Sequence, residues 1–190
     1  MNDNNIVLPK FYSEIKKDSE AISFSMPSDL QTGSLLRTLI TTKKDGHFLE
    51  LGTGTGLSLA WMIEGMNGNA NLISIDNSSE YQSIAKKYFQ ESNVSFVCED
   101  AEQWILNYKD SKFDLIFADA WPGKYVVLEE TLNLLNSGGI YLIDDMLPQP
   151  NWPNDHDKNV DILIQDLEKR KDIQLTKMNW STGLILITKI

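Results

Sequence analysis

Two groups of residues in this chain have types and spacings suited to chemistry. The first is a run of three glycines in residues 48–60, FLELGTGTGLSLA, where an apolar stretch passes into a segment with helical spacing. A strand, a glycine loop and a helix in that order expose backbone N–H groups at the positive end of a helix, where the chain can approach an anionic ligand closely. Gly52, Gly54 and Gly56 supply the loop, and Asp76 ends the next apolar run 20 residues after Gly56. A carboxylate placed there can accept hydrogen bonds from the two hydroxyls of a ribose. The stretch DNSSE that Asp76 opens also fits a helix start, which gives the aspartate a second reading as a cap.

The second group is acidic. Asp119 closes the run FDLIFAD, and Asp144 with Asp145 closes GIYLIDD. Three carboxylates brought together without partners repel one another and titrate high, unless a cation sits among them. Oxygen ligands suit Mg²⁺ or Ca²⁺. A plainer reading has Asp144 and Asp145 capping the following loop while Asp119 alone assists a substrate.

These residues must be positioned by the elements around them. Five short apolar runs begin at residues 47, 71, 94, 113 and 139, at intervals of 19 to 26 residues that leave room for a crossover helix. Runs that are apolar on both faces suit the strands of a covered parallel sheet. Helices are expected near 56–67, 79–92, 101–109 and 124–136, the last closed by Gly138 and Gly139, with another over SDLQTGSLLRTLIT before the first strand. The proline-bearing stretch LPQPNWPNDHDK reads as loop. A helix near 157–171 and two strands, IQLTKM and LILITK, follow it as a terminal hairpin. The class is α/β, and the expected organisation is one domain over 1–190, with an N-terminal helical segment over 1–45 and the core over 46–190.

Composition narrows the function classes. A chain with 42% hydrophobic and 23% charged residues is that of a soluble globular protein, and no apolar run approaches a membrane span. Seventeen basic against 27 acidic residues give a formal charge of −10, which repels a phosphate backbone, so neither nucleic acid nor membrane is an expected partner. Cys98 is the only cysteine, and MNDNNIVLPK lacks the pattern of a secretory signal, which makes the cytoplasm the expected location.

A nicotinamide-dependent oxidoreductase and a methyltransferase using S-adenosylmethionine both fit a glycine loop followed by a strand-end acid. The dinucleotide pattern wants its third glycine where this chain has Leu57, and the chain reads Glu-x-Gly-x-Gly-x-Gly instead. Glu50, on the last turn of its strand, suits a ligand with an ammonium group, or braces the loop.

LELGTGTGLS, Asp76 and CEDAE together resemble the class I S-adenosylmethionine-dependent methyltransferases, and more narrowly the small-molecule O-methyltransferases of the catechol and caffeoyl-CoA type. The resemblance runs from about residue 26 to 146. It implies a Rossmann-like fold: a mostly parallel seven-stranded sheet, helices on both faces and a C-terminal antiparallel hairpin. It implies that Ser58 holds the methionine carboxylate, Met26 lies near the transferable methyl, Asp100 takes the adenine amino group and Trp121 packs along the adenine edge. Ser58 also fits the first turn of its helix, Met26 the core, and Trp121 ordinary packing. In the implied strand order the fourth and fifth strands are neighbours, so Asp119, Asp144 and Asp145 converge and match the family's metal ligands. A metal there would activate the hydroxyl of a small-molecule acceptor. The chain departs from the pattern where a lysine is expected three residues after Asp119, since Pro122 stands there and Lys124 lies two places on. Lys124 and, behind it, His156 are the remaining candidate bases, while Met146, Leu147 and Trp152 offer apolar surface to an acceptor. The competing readings are a metal-independent methyltransferase, the oxidoreductase, and a module that binds the cofactor without turnover. A homodimer is entertained as the assembly.

Overall fold

The computed structural model describes residues 2–3, 5–149 and 152–190. Five parallel strands form its centre: β1 (His47–Leu51), β2 (Asn71–Asp76), β3 (Val94–Cys98), β4 (Phe113–Ala118) and β5 (Leu135–Ile143). The chain then returns through β6 (Ile173–Met178) and β7 (Leu184–Lys189), which pair antiparallel with each other, while β7 pairs antiparallel with β5. The order across the sheet is β3-β2-β1-β4-β5-β7-β6. It reverses between β1 and β4, and a ligand crevice forms outside the carboxyl ends of strands at such a reversal.

Side chains alternate across β1. Leu49 and Leu51 join one buried cluster with residues of α5 (Ala101–Asn107), α6 (Leu128–Asn133) and α7 (His156–Glu168). Phe48 joins the other, with α1 (Tyr12–Ala21), α2 (Leu30–Thr41), α3 (Leu57–Gly65) and α4 (Ser79–Phe89). Covering both faces is what makes the central strands read as continuous apolar runs. The five expected parallel strands and the terminal hairpin are found, and the fourth and fifth strands are neighbours as the resemblance implied.

One stretch departs from expectation. The helix expected over 124–136 is confined to Leu128–Asn133, and β5 begins at Leu135 rather than near 139. Val127, left-handed at φ 51°, stands just before the shortened helix. Gly138, at φ 75°, does not end a helix: it lies where the β4–β5 register shifts between Phe113↔Leu135 and Leu115↔Ile140. An extra-residue irregularity of this kind bends a strand. Pro150 and Asn151, in the proline-bearing loop, lie outside the described residues.

Candidate active site

The glycine loop leaves β1 with Gly52, Gly54 and Gly56 all at positive φ, 104°, 50° and 94°. All three are also tight contacts: a Cβ on Gly52 would stand 2.8 Å from the carbonyl oxygen of Asp119, one on Gly54 2.9 Å from the Phe24 ring, and one on Gly56 2.7 Å from the Ala85 Cβ. Asp76 braces the loop from β2. One carboxylate oxygen accepts from the Gly54 N–H at 2.7 Å and the other from the Ser78 N–H at 2.8 Å. The cap of α4 is Ser78, whose hydroxyl accepts from the Tyr81 N–H.

Behind the loop runs a buried chain of donors that ends on Glu50. Gln82 donates to Thr53 at 3.2 Å, the Thr53 and Ser74 hydroxyls stand 2.6 Å apart, and Ser74 donates to Glu50 at 2.5 Å. Ser58 donates to the other Glu50 oxygen at 2.6 Å. Glu50 is fully buried, and that desolvation pushes its pKa up to about 7, the two serine hydrogen bonds opposing the rise. Sequence reasoning found Glu50 and Ser58 but not that they hold each other.

The strand-end acids meet where β4 and β5 lie side by side. Half-buried Asp119 accepts from the Ser28 hydroxyl at 3.0 Å and lies close enough to Asp144 and Asp145 to feel the charge of both. Burial, with the charge of Asp144 next, raises its pKa well above the usual carboxylate range. Burial and the neighbouring Asp145 push Asp144 up to about 6. Burial likewise raises Asp145, whose backbone is left-handed at φ 61°. Asp144 Oδ1 accepts from the Asp145 N–H at 2.8 Å and from the Thr182 hydroxyl, while Oδ2 is buried with no partner.

Lys124 is drawn into this cluster. The Pro122–Gly123 turn, held by a hydrogen bond of 2.6 Å from the Tyr141 hydroxyl to the Gly123 carbonyl, folds the lysine inward. It is only 5% exposed, and its Nζ donates to the Asp144 carbonyl at 3.1 Å. Its positive charge lowers the pKa of all three aspartates. Among the described residues, no group of three His, Cys, Asp or Glu side chains is disposed to hold a metal ion.

The other expected residues are spread more widely. Met26 is exposed, at 54%, on the segment before α2, and it borders a cavity of about 20 Å³ together with Ser28, Gly52, Ser58 and Asp119. Phe24, which sequence reasoning missed, lies on the same segment, its ring 2.9 Å from where a Gly54 Cβ would be. Exposed Asp100 caps α5 through the Gln103 N–H at 3.0 Å. Trp121 packs on Tyr125 and His156, with ring centres 5.1 and 5.2 Å away. His156 is buried, with one ring nitrogen 3.2 Å from the Tyr125 hydroxyl and its Nδ1 without a partner; burial lowers its pKa. A larger cavity, about 480 Å³, opens between α6 and α7 and has Lys124 and Tyr125 among its lining residues.

The sequence profile described as O-methyltransferase matches residues 5–190 of this chain. A curated Mycolicibacterium smegmatis protein named as a candidate O-methyltransferase is 34% identical over 119 residues, which cover 58% of this chain and 56% of that protein. The chain thus spans little more than half the length of the curated relatives it matches. Its fold is similar to that of TomG, an O-methyltransferase of Streptomyces achromogenes crystallised with SAM (TM-score 0.83, 19% identity, 97% of this chain and 92% of that one). It is also similar to that of a Bacillus cereus O-methyltransferase in complex with SAH (TM-score 0.83, 20% identity, 99% and 92%).

Proposed function

This chain belongs to the O-methyltransferase family, and from that premise we propose that it transfers a methyl group from S-adenosylmethionine to a hydroxyl of a small molecule. The observation that carries the proposal is the place of Asp119. It borders the glycine-loop cavity and also stands in the acidic cluster with Asp144, Asp145 and buried Lys124. A cofactor on the loop and an acceptor at the cluster would therefore meet across one residue.

In this reading Gly52, Gly54 and Gly56 receive the cofactor's methionine portion beside Ser58 and Met26, Glu50 answers its ammonium group, and Asp76 and Asp100 take the ribose and the adenine. Trp121, given its contacts with Tyr125 and His156, belongs to the acceptor side. Asp119, whose raised pKa makes it a stronger base than a solvated carboxylate, accepts the acceptor's proton. The freed oxygen attacks the methyl carbon in line with sulfur, which leaves as a neutral thioether. Lys124 stabilises the oxygen's developing negative charge.

A divalent cation on Asp119, Asp144 and Asp145 has the right donor atoms, and the orphaned Asp144 Oδ2 is where one would bind. The arrangement does not fit it: among the described residues no three acids, these included, are disposed to hold an ion, Thr182 occupies Oδ1, and Lys124 supplies the compensating charge. This favours the metal-independent course, and no step above is routed through a metal. Calorimetry with S-adenosylmethionine and with NADH tests the cofactor: saturable heat from NADH alone would sink the proposal. Methylation of a panel of small hydroxylated acceptors should be indifferent to chelator. Loss of activity with chelator, restored by Mg²⁺, would return the metal to the mechanism.

A further inference from the structure

We propose that Thr182, on the turn of the C-terminal hairpin, is a positioning residue for methyl transfer, its hydroxyl fixing buried Asp144, whose backbone carbonyl in turn holds the Lys124 ammonium group at the acceptor site. The inference rests on the methyl-transfer reading above.

Asp144 is 1% exposed, so the direction of its carboxylate is set wholly by protein groups. Its Oδ1 is claimed twice, by the Asp145 N–H and by the Thr182 hydroxyl, and its Oδ2 by nothing. The backbone N–H bond alone leaves the carboxylate free to rotate about its last torsion. A second donor on the same oxygen removes that freedom and, with it, holds the residue whose carbonyl accepts from Lys124 Nζ at 3.1 Å.

The turn is built to deliver that hydroxyl. Ser181 and Gly183 on either side are left-handed, at φ 58° and 82°. The Met146 N–H donates to the Gly183 carbonyl and the Leu147 N–H to the Thr182 carbonyl, both at 2.9 Å. The two residues after Asp145 are thereby laced to the two residues that end the turn. A Cβ on Gly183 would stand 2.5 Å from the Leu147 nitrogen, so the approach leaves no room for a side chain there. From the other side Thr32 of α2 places its hydroxyl 2.8 Å from that of Ser181 and 3.5 Å from that of Thr182, and Ser181 donates to Asp29 at 3.3 Å. The segment before α2 also sends Ser28 to Asp119. Two of the three acids are thus held by hydroxyls from outside the parallel strands that bear them.

The test compares Thr182→Val, which keeps the shape and removes the hydroxyl, with Thr182→Ser, which keeps the hydroxyl. With an acceptor found in the panel, Thr182→Val should lower kcat by about 10- to 100-fold, the scale of one lost hydrogen bond to a charged group. Affinity for S-adenosylhomocysteine should stay within about threefold, and Thr182→Ser should recover most of the rate. Equal damage in both variants, or full activity in the valine variant, overturns the proposal. Crystal structures of the two variants decide it without an acceptor. Asp144 should turn away from its present rotamer in Thr182→Val and keep it in Thr182→Ser, and an unmoved carboxylate in the valine variant refutes the positioning role. Failure of the wild type to bind S-adenosylmethionine would refute instead the reading on which the inference rests.

Discussion

Replacing Glu50 with glutamine should stabilise the protein at alkaline pH while weakening its cofactor. The carboxylate is fully buried, with one serine hydroxyl on each oxygen, and its pKa rises from an ordinary 4.5 to about 7. A raised pKa means that the folded protein binds the proton more tightly than the unfolded chain. The folded state therefore has its full stability below pH 4.5 and loses it as pH climbs to about 7. Above that window the charged side chain costs about 3 kcal/mol. Glutamine carries no such cost, and the Ser58 and Ser74 hydroxyls can rotate to meet its amide. Urea unfolding of both proteins should give a stability difference that moves in favour of Glu50→Gln by about 2 kcal/mol between roughly pH 5.5 and 8.5. Comparing variant with wild type cancels the similar contributions of Asp119 and Asp144. If Glu50 answers the cofactor's ammonium group, calorimetry at alkaline pH should show S-adenosylmethionine bound about tenfold more weakly by the variant. Parallel stability curves would refute the buried-charge argument, and a stabilised variant with unchanged affinity would confine Glu50 to bracing the loop.

Asp76→Ala strips the acceptor from the Gly54 and Ser78 N–H groups and should weaken S-adenosylmethionine by about 1.5–3 kcal/mol in calorimetry with an unchanged circular dichroism spectrum; unaltered affinity would leave Asp76 a turn residue only. Lys124→Met removes the charge that lowers the pKa of all three aspartates. Methyl transfer should fall by about 100-fold and its acid limb should move to higher pH, since the base must be deprotonated to act. An unshifted limb would mean that Asp119 does not accept the proton.

What the sequence disclosed follows from how local each determinant is. The glycine loop was legible because three residues must be left-handed within five positions, and glycine adopts that conformation at least cost. The central strands were legible because strands covered on both faces leave unbroken apolar runs. The start of β5 was not: the apolar stretch after Asn133 reads as more helix and Gly138 as its stop, whereas the glycine serves a register shift against β4, a partner that no local pattern reveals. The site divides along the same line. Asp119, Asp144 and Asp145 announce themselves by ending strands, but the groups that hold them arrive from 91 residues away in Ser28 and from 38 residues away in Thr182, on stretches whose sequence carries no mark of the contact. Lys124 shows the other failure. Its neighbours suggest a solvated helix start, and only the bond from Tyr141 to Gly123 reveals that the turn folds it inward. Asp76 ends β2 and Asp100 follows β3, as the sequence places them, yet each already accepts from a backbone N–H. A position read from sequence is therefore firmer than a role, because a carboxylate's partners are chosen by whatever the fold brings within about 3 Å of it.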